Sequence, residues 1–253
     1  MIKLKSSAEI QIIKEASRIL KLTMNLLEKM LKPGITTIEL DKAAEKFIIQ
    51  NGAKPSFKGY QGFPASICAS VNEQVVHGIP DNTKLKEGDI ITIDIGVYKD
   101  GFHSDAARTF GVGKISKEDQ DLIRAAKDAF FEGIRDIRAG SNTIGDISFR
   151  IQRYIESKGY GIIRELVGHG IGEQLHEDPS IPNFGNPKTG PEIMQGLVIA
   201  VEPMISHGNG EVVFKEDGWT CITADNTRAA HYENTIAFID NKIEILTDEC
   251  DYE

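Results

Sequence analysis

Tryptophan occurs once in this chain, cysteine three times, and runs of lysine or arginine not at all. The cysteines, Cys68, Cys221 and Cys250, are odd in number and show no CxxC spacing, which argues against a disulfide framework and a thiolate zinc site. That usage fits a reducing compartment, so a cytoplasmic location is expected. A formal charge of -9 without a basic cluster offers nothing to a nucleic acid or an anionic membrane surface. No apolar run reaches the roughly 18 residues of a membrane span. The opening MIKLKSSAEIQIIKEAS turns amphipathic at once instead of entering an apolar signal core. What is present is an ordinary globular composition, 40% hydrophobic and 26% charged over 253 residues, sufficient for one large domain or two small ones.

Helix signals come first. Ser6-Ser7-Ala8-Glu9 reads as a capping box, apolar residues recur at helical spacing through Leu31, and Pro33-Gly34 stops the run. Thr36-Thr37-Ile38-Glu39 opens a second helix that ends near Asn51-Gly52. Strands are predicted from about Ser66 to Val76 and from Asp89 to Tyr98, with a turn at Lys99-Asp100-Gly101 and a returning strand that carries Asp105 to Val112.

The plan then repeats. Ser116-Lys117-Glu118-Asp119 starts a helix predicted to end at Ala139-Gly140, and another is predicted from about Thr143 to Lys158-Gly159. His77-Gly78-Ile79-Pro80 is echoed 99 positions later by His176-Glu177-Asp178-Pro179. EGDIITIDIG (87–96) aligns without gaps on QGLVIAVEPM (195–204), 108 positions later, so Asp94 falls on Glu202. Self-similarity of this kind predicts an architecture that local propensity cannot. The expectation is a single domain over 1–253 with half-repeats of about 1–113 and 114–253, each two helices followed by strands. That is an α+β plan whose halves join their strands into one antiparallel-rich sheet backed by helices.

The acids inside the apolar strands need an explanation. Period two puts Ile91, Ile93 and Ile95 on one face and Thr92, Asp94 and Gly96 on the other. A lone ionised carboxylate there would cost roughly several kcal/mol or be forced to protonate. A hairpin turning at Asp100-Gly101 is predicted to bring residue 94 opposite residue 105 to within about one register step. The second half adds Glu202 in LVIAVEP, Glu233 in the strand-like run AHYENTIAF, and His169 between glycines in VGHGIG. Four carboxylates and one neutral imidazole carry -4, which two divalent cations would neutralise. A buried strand acid is more often paired with Lys or Arg, so the argument rests on the set and not on any one member. His103, His207 and His231 sit beside turns or acids and read as solvated or as standing behind the ligands; His77 and His176 gain weight from their matching places in the repeat.

With ITIDIGVYKDGFHSDAARTF, LVGHGIG, AVEPM and HYENTIAF, the chain resembles the type I methionine aminopeptidases of the creatinase and aminopeptidase-P-like superfamily over nearly its whole length. The resemblance implies the pita-bread fold, with its internal pseudo-twofold symmetry. It implies that Asp94, Asp105, His169, Glu202 and Glu233 ligate two divalent ions, with Asp105 and Glu233 bridging, and it leaves Co, Mn, Fe and Zn open. The methionine pocket would be lined by Tyr60, Phe63, Cys68 and Trp219, with His77 and His176 facing the substrate.

The implied activity is hydrolytic removal of the initiator methionine from nascent proteins and peptides, favouring a small second residue, by a hydroxide bridging the two ions. Glu202 would carry the proton from that water to the leaving amine, His176 would bond the oxyanion or the scissile amide, and His77 would position the substrate backbone. Departures from the family pattern fall on the pocket: Phe57 where a small residue is frequent, Phe63 where Tyr is common, and Leu175 where Phe is common. The spacing of His169 and Glu202 leaves no room for the type II helical insertion, and nothing precedes Met1, so the short bacterial form is expected. Expected partners are the N-terminal segments of nascent chains, met at the ribosome, and the protein is expected to be monomeric. Two alternatives are an aminopeptidase-P-like Xaa-Pro peptidase, whose members usually carry an additional N-terminal domain, and a metal-free binding protein on the same fold.

Overall fold

A computed structural model describes residues 1–248 of the chain; Cys250 lies outside the described residues. Ser6 and Thr36 cap their helices as predicted. Each hydroxyl accepts the N3 backbone N–H, and the N3 carboxylate, Glu9 or Glu39, accepts the cap residue's N–H in return. These caps start α1 (Ser7–Met30) and α2 (Thr37–Gln50). After them come β1 (Lys54–Pro55), β2 (Ile67–Val71), β3 (Gln74–Val76), β4 (Ile90–Lys99) and β5 (Phe102–Gly111). The second half opens with α3 (Lys117–Ile134) and α4 (Ile144–Lys158). It continues with β6 (Gly161–Ile162), β7 (Val167–Gly170), β8 (Glu177–Pro182), β9 (Val198–Val201) and β10 (Met204–Ser206). The chain then forms β11 (Val212–Phe214), β12 (Cys221–Thr223), β13 (Ala229–His231), β14 (Asn234–Ile239) and β15 (Lys242–Ile245). No helix among the described residues is long and apolar enough to cross a membrane.

Three expectations about element boundaries and register are corrected first. The helix expected to reach Ala139-Gly140 stops at Ile134, because Arg135 is extended and Asp136 is left-handed (φ 56), which folds Ile137 and Ala139 back into the core. The strand expected over Ser66–Val76 is two strands, folded at Asn72, whose φ of 55 its amide supports by bonding Asp89 and the Ile90 N–H. The hairpin register differs as well. Asp100 and Gly101 both take positive φ in a two-residue turn closed by Lys99↔Phe102, so Asp94 pairs with Ala107 and Asp105 with Gly96. The two acids are therefore diagonal neighbours rather than opposed. They still share a face, because the offset is an even number of residues.

The repeat is visible in the pairing. β1 meets β4 through Lys54↔Tyr98 and Pro55↔Val97, while β6 meets β10 through Gly161↔Ser206 and Ile162↔Ile205. Residues 205 and 206 are the 108-residue echoes of 97 and 98. Among the described residues all the ladders are antiparallel, but they form four sheets and not one. Across the seam between the halves, two threonines do what a backbone ladder would. Thr235 Oγ1 accepts the Asp105 N–H (2.9 Å) and donates to the Asp105 carbonyl (2.8 Å). Thr109 Oγ1 accepts the His231 N–H (2.9 Å) and donates to the His231 carbonyl (3.0 Å). Between these bridges the Glu233 N–H bonds the Ala107 carbonyl at 3.0 Å.

Each half owns an apolar core. The first gathers Leu20, Leu27, Leu40 and Ile48 against Ile91, Ile93 and Ile95; the second gathers Leu122, Phe130, Ile147 and Ile151 against Ile199 and Phe238. Because the three isoleucines face the helices, Asp94 must face the opposite side, where the halves converge. Thr235→Val keeps the shape but leaves both backbone groups of Asp105 unbonded. It should lower the unfolding free energy by roughly 1–3 kcal/mol. Equilibrium urea unfolding of the two proteins measures this, and an unchanged midpoint would contradict the bridging role.

Candidate metal centre and substrate pocket

Five elements deliver one acidic cluster. Asp94 lies in mid-β4 and Asp105 near the start of β5, both buried. Glu202 follows β9, where Pro203, lacking an N–H, separates β9 from β10. Glu233, expected inside a strand, stands instead between β13 and β14, since its N–H crosses the seam to Ala107. Its carbonyl accepts a bond from Arg108. His169 sits in β7, which passes so close to its neighbours that a Cβ on Gly168 would stand 2.4 Å from the Ala200 carbonyl and one on Gly170 2.2 Å from that of Asp178. Those two glycines let the backbone carry the ring into the cluster.

His169 Nδ1 lies 2.9 Å from the Gly170 carbonyl, an acceptor only, so Nδ1 carries the proton and the Nε2 lone pair points inward. That Nε2 is 3.6 Å from Glu202 Oε1 and 3.9 Å from Asp105 Oδ2. Ligand atoms of Asp105, His169 and Glu233 all lie within 4.8 Å of one another. Oδ1 of Asp94 and of Asp105 are buried with no hydrogen-bond partner. Buried unpaired carboxylate oxygens converging with an imidazole lone pair fit divalent cations, and mostly hard oxygen donors with one nitrogen admit Mn, Fe, Co and Zn alike.

Burial pushes the Asp94 carboxyl up to about 7. Asp105, Glu202 and Glu233 are raised well above the carboxylate range by burial and then by their neighbours' charges. Arg108 is the nearby cation, and it directs its guanidinium to the carbonyls of Ala107, Glu233 and Thr247 and to Asn234 Oδ1 while stacking on Tyr232. It shapes the backbone beneath the cluster more than it neutralises the acids.

The cluster floors a cavity of about 170 Å³. Every residue expected at the site lines it: the five acid and imidazole positions, His77 and His176, and the walls Phe57, Tyr60, Phe63, Cys68, Leu175 and Trp219. Phe57 takes room that Gly96 leaves, since a Cβ there would stand 2.7 Å from its ring. Phe63 and Trp219 meet edge to face, with centroids 5.1 Å apart. His176 is exposed at the mouth, its Nδ1 2.8 Å from Tyr60 Oη and its ring 4.3 Å from that of His169. His77 takes a φ of 58, uncommon outside glycine, and burial lowers its imidazole to about 4. Burial and the charge of Asp94, its cross-strand partner, raise the Cys68 thiol, so Cys68 is a wall and not a nucleophile.

Several residues here escaped sequence reasoning. Gln61 lines the rim from a left-handed turn position, φ 48. Arg108, Thr109 and Thr235 look like ordinary strand residues; an arginine within DAARTF was the only available hint. Lys5 and Glu177 form a buried ion pair at 2.5 Å beside His176. Of the three histidines set aside, His103 is half-buried against Ser56 (2.9 Å) and His207 lies 3.7 Å from Asp119. His231 is not solvated: it is buried at 1% exposure behind the acids.

The titrations set a pH dependence. Carboxyl pKa values raised above the unfolded value of about 4 mean that the folded cation-free protein binds more protons, so this contribution to stability is lost as pH rises. Buried histidines act oppositely. His169 and His231 are lowered to about 3 and His77 to about 4, all by burial, and their penalty ends near the unfolded imidazole pKa of about 6.5. Above that pH the acids act alone. The melting temperature of the cation-free protein should therefore fall between pH of about 6.5 and about 8.5, and a divalent cation should raise it more at the higher pH. Equal cation-induced shifts at both would contradict the assignment.

Comparison with known proteins agrees with this geometry. The profile of metallopeptidase family M24 matches residues 11–239. A methionine aminopeptidase of Clostridium perfringens is 54% identical over 98% of this chain and 99% of its own length. The crystal structure of methionine aminopeptidase from Thermotoga maritima, 42% identical, superposes with a TM-score of 0.96 over 98% of this chain and all of its own. A prolidase from Pyrococcus furiosus, 22% identical, gives a TM-score of 0.76 over 97% of this chain and 65% of its own, which shows a shared fold alone. The architecture is the pita-bread fold, and the chain belongs to metallopeptidase family M24, among its methionine aminopeptidases.

Proposed function

We propose that this protein hydrolyses the N-terminal methionine from proteins and peptides as a single catalytic domain. The observation that carries the reading is an apolar, one-side-chain cavity that ends directly on the acidic cluster. A thioether gains from aromatic walls such as Tyr60, Phe63 and Trp219. Asp94, Asp105, His169, Glu202 and Glu233 hold the cations. When bound, two such ions polarise a carbonyl oxygen and lower the pKa of water.

The remaining chemistry belongs to the chain. Glu202, its side chain 12% exposed, takes the proton of the attacking water and delivers it to the departing amine. His176, exposed at the mouth and oriented by Tyr60, donates a hydrogen bond to the oxygen of the scissile group. His77, beside Trp219 (ring centroids 6.5 Å apart), positions the substrate backbone. A small second residue is favoured at the rim, which Gln61 and His176 line. The substrates are nascent chains emerging at the ribosome in the cytoplasm, and the enzyme acts as a monomer.

Met-Ala-Ser should be cleaved and Ala-Pro-Ser left intact when both are offered to the Mn(II)- or Co(II)-loaded protein; cleavage of the proline peptide alone would assign the Xaa-Pro activity instead. His176→Ala should reduce kcat by about 10²- to 10⁴-fold, with cation content by elemental analysis unchanged. Loss of the cation in that variant would place His176 among the ligands and remove it from its donor role.

A further inference from the structure

His231 is a buried imidazole without a role in the set above. It is 1% exposed, and neither ring nitrogen has a hydrogen-bond partner. A buried polar group left so is costly, and native proteins rarely keep one without use. Its Nε2 is aimed at the metal centre, 3.5 Å from Glu202 Oε2 and 3.9 Å from Glu233 Oε2. The two oxygens of Glu202 thus face two different imidazoles, because Oε1 lies 3.6 Å from His169 Nε2.

The internal repeat places His231 there. Asp105 pairs with Gly96, and His231 pairs with Met204, the 108-residue echo of Gly96. The second half therefore carries an imidazole at the backbone position where the first half carries a ligand. Thr109 holds the backbone N–H and the carbonyl of His231, so the ring is presented from a fixed strand.

We propose that His231 is a positioning residue of the metal centre, its Nε2–H fixing the outer oxygen of Glu202 so that the inner oxygen stays aimed beside His169. The assignment as donor follows from the company it keeps. Four carboxylates supply acceptors in excess, and among the described residues the Glu202 carboxylate accepts no hydrogen bond. A separation of 3.5 Å exceeds an ordinary N–H···O bond of about 2.7–3.2 Å, and a small rotation of the Glu202 side chain closes it. Carboxylate ligands are held by outer hydrogen bonds whose loss typically costs about 10- to 100-fold in metal affinity.

This inference rests on the metallopeptidase reading, and its test uses no peptide. The cation-free protein is titrated with Mn(II) by calorimetry, alongside His231→Gln, whose carboxamide can still donate, and His231→Leu, which cannot. The glutamine variant should bind within about threefold of the parent and the leucine variant about 10- to 100-fold more weakly. Thermal unfolding of each cation-free form establishes that the variants fold; should the leucine variant not fold, His231→Met takes its place. A leucine or methionine variant that binds like the parent, or a glutamine variant as weak as leucine, overturns the proposal. A parent that binds no Mn(II) overturns both readings, whereas a parent that binds Mn(II) and leaves Met-Ala-Ser intact defeats only the peptidase.

Discussion

Four carboxylates held in a buried cluster repel one another, and the low dielectric around them makes that repulsion far stronger than it would be in water. Left alone they would protonate or drive the chain apart. Everything beneath them resists that outcome. Two separate apolar cores anchor β4 and β9 from behind, and paired threonines bolt the halves together on either side of Glu233. The buried Arg108 ties the Glu233 segment to the C-terminal Thr247 carbonyl. Divalent cations then turn a destabilising cluster into a binding site, which is why metal and stability are one question in this protein.

The duplication supplies the scaffold, and its imperfections supply the chemistry. β4 runs unbroken through Asp94, whereas its echo is interrupted by Pro203 immediately after Glu202. The consequence is an acid inside a continuous strand in one half and an acid at a strand end in the other. A similar division separates Asp105 from His231, and Ser70 from His169, which meet Thr92 of β4 and Ala200 of β9 at equivalent registers. Symmetry brings the positions together; loss of symmetry in residue type assigns their work.

Two bulky side chains, Phe57 and Leu175, help to wall the pocket. Phe57 closes over the space left by Gly96, and buried Leu175 forms the wall just before His176. The loop carrying His176 is held from below by the Lys5–Glu177 pair, 3% and 6% exposed. Such buried pairs contribute little net stability, and their use lies in specifying one geometry. Here that geometry is the approach of an exposed imidazole to the mouth of the cavity.

The sequence by itself determined what is local or periodic: the capped helix starts, the alternation that sends Ile91, Ile93 and Ile95 one way and Asp94 the other, and the repeat that matched Asp94 to Glu202. Capping and face alternation act over a few residues, so their signals survive in one dimension, and the internal repeat adds agreement between distant segments. Tertiary structure alone decided the rest. The two-residue turn at Asp100-Gly101 set Asp94 against Ala107, the burial of Ile137 and Ala139 ended α3 early, and the seam lifted Glu233 out of its strand. The same seam decided between the two readings open for His231, burying it behind the acids. The placements of Glu233 and His231 depend on contacts between segments more than 100 residues apart, such as Thr109 with His231 and Asp105 with Thr235, whose energies have no local signature.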